Sequence, residues 1–111
     1  MHETDEIRSR LQRAEADVEA SLVLARNDAR PVAPDAALGR LTRQDAMQAQ
    51  QMAVARVGRL EHRLRLIEAA KLRLDDDDYG ECVRCGEPIA AARLEARPEA
   101  PFCLRCERGV A

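Results

Sequence analysis

The chain has 111 residues but only one Phe, one Tyr and no Trp, so it carries little bulky apolar material for a globular core. Charged residues make up 34% of it, with both signs interspersed among Ala, Leu and Val, a composition typical of long paired helices. The net charge of −2 argues against a protein that mainly wraps nucleic acid, and no run approaches the roughly 18 apolar residues of a membrane span.

The first predicted element is a helix from about Thr4 to Asn27. Along it, apolar or small residues recur at alternating spacings of four and three: Ile7, Leu11, Ala14, Val18, Ser21 and Ala25. Such a narrow stripe is typical of a coiled coil. This helix therefore needs a second helix as its partner.

A connecting loop and a longer second helix follow. The stretch 28–39 contains two prolines and a glycine, and we expect a loop over about residues 28–42. Thr42 is placed to cap the next helix, and Asp45 lies near the positive end of its dipole. The same spacing then continues through Ala46, Gln50, Ala53, Val57, Leu60, Leu64, Ile67, Lys71 and Leu74. This predicts one helix of about 33 residues, roughly 50 Å long.

The two stripes predict the fold class. A long helix with a narrow apolar seam, joined by a loop to a helix with a matching seam, should fold back as an antiparallel helical hairpin, a coiled coil, in a mainly α protein. Its many alanines bury little area each, so the hairpin alone would be marginal. The adjacent carboxylates from Asp75 to Asp78 disfavour a helix C-terminus. We therefore predict a coiled-coil domain over 1–75 and a second module over 76–111.

The second module contains the only four cysteines of the chain. They form two Cys-x-x-Cys pairs, Cys82 with Cys85 and Cys103 with Cys106, separated by seventeen residues. This spacing lets both pairs converge on one tetrahedral Zn²⁺. Gly86 can supply the left-handed backbone turn that a zinc knuckle needs. Four protein ligands leave no open position, so one zinc ion is expected to stabilise the module and not to catalyse.

Two other uses of these cysteines fit the sequence less well. Two disulfides would need an oxidising compartment, but the stretch from Met1 to Ile7 is acidic and does not resemble a secretory signal. A redox Cys-x-x-Cys of the thioredoxin kind would need a surrounding βαβ pattern. We therefore expect a structural zinc site in a soluble, cytoplasmic protein. A small apolar cluster is expected around the metal, formed by Ile89, Leu94, Phe102 and Leu104.

The carboxy-terminal sequence resembles that of a known family. After the acidic stretch come Tyr79-Gly80-x-Cys82-x-x-Cys85-Gly86-x-x-Ile89, then Arg93-Leu94-Glu95-Ala96-Arg97-Pro98 and Cys103-x-x-Cys106. Together with a helical hairpin, this arrangement is similar to the DksA/TraR family of C4-type zinc-finger transcription regulators of bacteria, in its short form.

The resemblance implies a protein, expected to be a monomer, that binds RNA polymerase directly and makes no sequence-specific contact with DNA. The hairpin would enter the secondary channel of the polymerase and alter the lifetime of promoter complexes. In that family regulation is often joint with the alarmone ppGpp, the signal of the stringent response.

The resemblance also indicates where the hairpin tip lies. Long members of the family carry an acidic tip motif of the form Asp-x-x-Asp-x-Ala, whose two acidic positions fall here on Gly39 and Thr42. Asp45 and Ala46 lie one helical turn further on. The tip candidates are therefore Thr42, Asp45 and Ala46, although Asp45 could serve only to cap the helix.

A nucleotide site is the second expectation from the resemblance. The family uses basic side chains of the second helix and of the finger. Arg97 matches this pattern, whereas the corresponding helix position is Leu66 and the residue after the last cysteine is Glu107. Neighbouring arginines keep the region basic, with a solvated helix face as the alternative interpretation. The candidate contacts to the alarmone or the polymerase are Arg56, Arg59, Arg63 and Arg97.

Two other functions remain open. The cysteine spacing is also that of GATA-type DNA-binding fingers, but residues 79–111 hold five arginines and five glutamates, and the tail after Cys106 is not basic. The hairpin could instead serve an adaptor that binds another protein partner. No enzyme activity is expected, because the two histidines have no visible nucleophile or metal partner and the cysteines are committed to the metal.

Overall fold

The computed structural model describes residues 2–31 and 40–109. In chain order its helices are α1 (His2–Asp28), α2 (Arg40–Asp75), α3 (Ala91–Ala96) and α4 (Leu104–Glu107). The first two form a long hairpin and the last two belong to a small module at one end, in a molecule that measures 58 × 32 × 20 Å. This mainly helical architecture confirms the predicted fold class, whereas the division into domains at 75 and 76 stays a prediction.

The core of the hairpin is a single seam between α1 and α2. Its buried members are Leu11, Ala14, Val18, Leu22, Ile67, Ala70 and Leu74. Leu11, Ile67 and Ala70 have no exposed surface. Because the seam is built from aliphatic side chains and alanines only, each residue contributes little, and the stability of the hairpin comes from their repetition along two helices.

Two residues of this core lie beside the predicted stripes. Leu22 and Ala70 are buried next to Ser21 and Lys71, which were the predicted seam positions. An α-helix has about 3.6 residues per turn, so a strict spacing of three and four underestimates the width of the buried face. Lys71 is only half-buried, and its Nζ lies 2.7 Å from Oε1 of Glu15 on α1.

Ion pairs between the helices follow the antiparallel register. From the base towards the tip, the pairs join Arg8 to Asp75 at 2.8 Å, Glu15 to Lys71 at 2.7 Å and Arg26 to Glu61 at 3.3 Å. Solvent reaches all three pairs, so each contributes little to stability. Their order nevertheless shows that α1 and α2 run in opposite directions.

The second helix begins earlier than predicted. α2 starts at Arg40, so Thr42 lies inside its first turn and is not the cap, and that prediction was wrong. Arg and Leu are good helix formers, which explains why residues 40 and 41 join the helix. Residues 32–39 lie outside the described part of the chain; they include Gly39, one of the two positions on which the family's acidic tip motif falls.

The acidic stretch after α2 forms a tight helix end. The N–H of Asp78 donates to the carbonyl of Arg73 at 2.8 Å, and the N–H of Asp77 donates to that of Leu74 at 3.3 Å. Asp77 has a φ of +61°, as the Schellman type of helix end requires, and Asp tolerates this left-handed conformation better than most residues. Among the residues that the structure describes, none of the helices has the length and hydrophobicity of a membrane-spanning segment.

Candidate metal centre and the cavity beside it

The first pair of cysteines lies on a tight turn. A β-bridge joins Glu81 to Pro88, and the N–H of Cys82 donates to the carbonyl of Glu87 at 2.8 Å. The N–H of Gly86 donates back to the carbonyl of Cys82 at 2.9 Å. Gly86 has a φ of +79°, which confirms the predicted left-handed turn after the second thiol.

The second pair of cysteines lies at the start of α4. Cys103 is the residue before the helix, with extended backbone angles, and Cys106 is buried within it. Two hydrogen bonds fix the chain just before this helix. The N–H of Val83 donates to the carbonyl of Pro101 at 2.8 Å, and Nε of Arg93 donates to the carbonyl of Phe102 at 3.0 Å. These bonds fix the second pair against the first.

The four thiols converge on one point. Their sulfur atoms all lie within 4.8 Å of one another, and the Sγ atoms of Cys85 and Cys103 are 3.8 Å apart. Zinc–sulfur bonds of about 2.3 Å in a tetrahedron place the sulfurs about 3.8 Å apart. All four are free thiols, and each lies near three others instead of one, which fits a shared metal better than two disulfides. The cluster is therefore consistent with one structural zinc site.

The pKa values of the thiols are those expected of a cluster that binds a cation. Burial opposes ionisation of Cys82, but hydrogen bonds with the backbone of Cys103, Cys85 and Arg84 outweigh it and hold the pKa of Cys82 at about 6. Burial, followed by hydrogen bonds with the neighbouring thiols, raises the pKa of Cys106 to about 12. The cluster thus resists a second negative charge unless a cation compensates it.

A small apolar cluster surrounds the sulfurs. Ile89 is buried with Cys82 and Cys106, and Leu94 and Phe102 pack against them. These contacts agree with the predicted cluster except at Leu104, which is 49% exposed because α4 turns that side chain to solvent. With so few apolar residues, the module has little core of its own, so it depends on what its cysteines bind.

The module docks on the base of the hairpin through one loop. Pro98, Glu99 and Ala100 are all buried. The hydroxyl of Tyr79 donates to the carbonyl of Pro98 at 2.8 Å, and the ring of Tyr79 packs against the hairpin core. Nε of Arg63 on α2 lies 3.1 Å from Oε2 of Glu99. Glu99 could not be predicted from the sequence, because nothing in a Pro-Glu-Ala-Pro stretch distinguishes a docking loop from a solvated one.

The predicted basic residues meet at this junction. A cavity of about 430 Å³ lies between α2 and the module. Its walls include Arg56, Arg59, Arg63 and Arg97, which were predicted as contacts, together with Leu60, His62, Leu66, Glu99 and Glu107. The carboxylates of Glu99 and Glu107 partly neutralise the positive charge of the cavity. Glu107 also forms an ion pair with Arg93 at 3.5 Å.

The predicted tip residues lie at the other end of α2. Thr42 and Asp45 are exposed, whereas Ala46 is half-buried. All three belong to the first two turns of the helix. The structure therefore separates two groups of predicted residues, the tip at the distal end of the rod and the arginines at its base.

Comparisons with known proteins agree with this architecture. Residues 77–110 match the prokaryotic dksA/traR C4-type zinc finger. Over 44 residues, the chain is 50% identical to the RNA polymerase-binding transcription factor DksA of Haemophilus influenzae and 41% identical to that of Escherichia coli K12. These matches cover 40% of this chain but only 30% and 29% of the two relatives.

The likeness in three dimensions extends much further along the chain. The structure of transcription factor DksA2 from Pseudomonas aeruginosa superposes with a TM-score of 0.77 and 26% identity, over 98% of this chain and 84% of that one. The hairpin and the cysteine module therefore have the same arrangement in both proteins. The resemblance to the DksA/TraR family is confirmed: residues 77–110 match its C4 zinc finger, and the hairpin and module together resemble DksA2.

Proposed function

We propose that this protein is a transcription regulator that binds RNA polymerase and inserts its helical hairpin into the secondary channel of the enzyme. The observation that carries the proposal is the combination of a dksA/traR finger with a DksA2-like fold over 98% of the chain. The relatives that match the finger are named RNA polymerase-binding transcription factors. Transcription factors of this family are not enzymes, in agreement with the expectation of no catalysis.

The shape of the molecule supports this mode of action. α2 has 36 residues, a length of roughly 54 Å, and it packs against α1 along the seam and against the finger at its base. A rod of this kind reaches a recessed site that a globular domain cannot enter. Asp45 and Ala46 lie at its distal end and are the proposed tip contacts, while the finger fixes the angle of the rod at its base.

The proposed cofactor is one structural zinc ion held by Cys82, Cys85, Cys103 and Cys106. Zinc supplies a fourfold cross-link between two segments that share few apolar contacts. The backbone donors around Cys82 already favour its thiolate. The finger is proposed to serve as the clamp of the hairpin and not as a DNA reader, since its arginines and glutamates balance.

The arginine-lined cavity supports a proposal about regulation. Its four guanidinium groups provide donors for the phosphates of ppGpp or for carboxylates of the polymerase. Glu99 and Glu107 in the same walls weaken its attraction for a highly charged nucleotide. We therefore propose that the protein modulates promoter complexes either with ppGpp or in its place, as a cytoplasmic monomer.

The test is the lifetime of a promoter complex made with purified bacterial RNA polymerase. Addition of the zinc-loaded protein should change this lifetime both at low and at physiological ionic strength. The same measurement in the presence of ppGpp shows whether the alarmone adds to the effect. An unchanged lifetime would contradict the proposal. Tight, strongly salt-dependent binding to duplex DNA without polymerase would instead favour the DNA-binding finger.

A further inference from the structure

The distal part of α2 differs in composition from the rest of the chain. The ten residues from Ala46 to Ala55 include no Asp, Glu, Lys, Arg or His, although 34% of the whole chain is charged. A helix that packs on one side normally carries charged residues on its other side. This segment therefore calls for an explanation other than solvation.

The uncharged residues of this segment also occupy the sides of α2 that the hairpin seam leaves exposed. Ala53 is buried and Gln50 and Val57 are half-buried, so they mark the inner side of the helix. Seven exposed residues lie on the outer side of the helix and on one of its flanks, given about 3.6 residues per turn: Met47, Gln48, Gln51, Met52, Val54, Ala55 and Gly58. We call these seven residues the distal face.

The distal face presents apolar atoms to solvent. Met52 is 70% exposed, Val54 53% and Met47 44%. Methionine is flexible and polarisable, and it adapts to irregular surfaces of a partner. With no charge among the seven side chains, little hydration is lost when they are covered.

We propose that the distal face is a docking surface for an uncharged, largely apolar wall of RNA polymerase, an inference that rests on the proposed function. The face starts within one turn of Asp45, the proposed tip contact. Val54 lies nine residues further along, a distance of about 14 Å. A tip that enters a recessed channel takes these turns of α2 in with it, so the distal face must meet the channel wall.

The size and chemistry of the face argue against other occupants. It is about 17 Å long and one helix wide, far smaller than the roughly 800 Å² that each partner contributes to a stable complex. A second copy docked on this face alone would not hold, whereas a polymerase would also contact the tip and the arginine-lined cavity, which does not include Leu72. Nucleic acid is disfavoured because the face offers no cation to a phosphate.

The test uses a double variant, Met52→Lys with Val54→Lys. Both positions are exposed and Lys is a good helix former, so the fold should persist, as circular dichroism and zinc content will show. The matched control is Leu72→Lys. Leu72 is 65% exposed and lies about five turns from Val54 on the same side of α2, but at the base of the rod.

The readout is the dissociation constant for core RNA polymerase. We expect the double variant to bind at least about tenfold more weakly, because two ammonium groups would be buried without partners, and the Leu72 variant to bind as the original chain does. Equal binding by all three proteins would overturn the docking proposal and leave the proposed function intact.

Two other results would also contradict the docking proposal. If the original chain does not bind polymerase at all, the proposed function fails and the docking surface with it. If sedimentation shows a dimer of the original chain that the double variant abolishes, the distal face joins two copies of this chain instead.

Discussion

Nε of Arg63, on the second helix of the hairpin, lies 3.1 Å from Oε2 of Glu99 in the zinc-finger module. The Glu99 side chain is only 3% exposed, whereas that of Arg63 is 42% exposed. The other carboxylate oxygen, Oε1, is buried without a hydrogen-bond partner among the described residues. One partially solvated guanidinium therefore compensates a buried charge at the junction of rod and finger.

Substitution of Arg63 should lower the free energy of unfolding more than substitution of Glu99. Arg63→Ala leaves the buried carboxylate of Glu99 unpaired and should lower the free energy of unfolding by about 2 to 3 kcal/mol. Glu99→Gln removes the charge but keeps the shape, and should cost less, about 1 kcal/mol. Arg65→Ala, at an exposed position on the same helix, is the control. Urea denaturation measures the free energy of unfolding of all three variants, and equal losses for Arg63→Ala and Arg65→Ala would show that the ion pair with Glu99 does not stabilise the junction.

Tyr79 should contribute to docking through one hydrogen bond. Its hydroxyl donates to the carbonyl of Pro98 at 2.8 Å, and Tyr79→Phe leaves that carbonyl without this donor while the ring still packs on the hairpin core. We expect a loss of about 1 kcal/mol. Thermal denaturation of the zinc-loaded protein checks this, and an unchanged midpoint would show that the bond makes no net contribution.

The same residue predicts a dependence on alkaline pH. Burial raises the pKa of Tyr79, although Arg10 and Arg73 lower it in part. A raised pKa in the folded state means that the stability associated with the neutral phenol is complete below the unfolded value of about 10. That stability is lost as the pH rises through the folded pKa. Because the chain has one Tyr and no Trp, near-ultraviolet absorbance follows this titration directly; a midpoint below that of the unfolded chain would contradict the prediction.

Loss of the metal should unfold the finger and loosen the base of the hairpin. Cys85→Ser removes one of four ligands, so we expect loss of bound zinc, a lower melting temperature and reduced helix content. Val83→Ser is the control, since Val83 is 59% exposed in the same turn. A Cys85 variant with native helix content and thermal stability would disprove the structural role of the metal.

Asp45 should act on transcription and not on folding. Its side chain is exposed near the start of α2, so Asp45→Asn should change stability by less than about 0.5 kcal/mol and leave the affinity for polymerase nearly unchanged. The effect on promoter complexes should fall, because the carboxylate would be missing at the tip. Gln44→Ala, a neighbouring exposed position, provides the control. Equal activity of both variants in a defined transcription reaction would refute the tip assignment.

The hairpin could be predicted from its sequence because the coiled-coil pattern is local and repeats. The metal cluster could be predicted because four cysteines at this spacing have few other uses. Leu22 and Ala70 were missed because the stripe was assumed to be narrower than the buried face. Gln50 was placed on the seam with no reason for a polar residue there; in the structure its Nε2 donates to the carbonyl of Ala29 at 3.2 Å, just beyond the end of α1.

The docking of the finger could not be predicted from the sequence. Glu99 is buried only because the loop around it packs on α2, a contact between residues far apart in the chain. The start of α2 was also misplaced, since Thr42 has the chemistry of a cap and only the backbone of Arg40 and Leu41 shows that the helix begins before it. The meeting of Arg56, Arg59, Arg63 and Arg97 was expected from the family resemblance and not from periodicity.

Insertion of the hairpin into the secondary channel is tested most directly by binding of the zinc-loaded protein to purified core RNA polymerase, in competition with a protein known to occupy that channel. Insertion of the hairpin into the channel predicts mutually exclusive binding, with each protein displacing the other in the absence of DNA. Simultaneous binding of both proteins, or no binding of this chain while its zinc and helix content are intact, would contradict insertion of the hairpin into the channel.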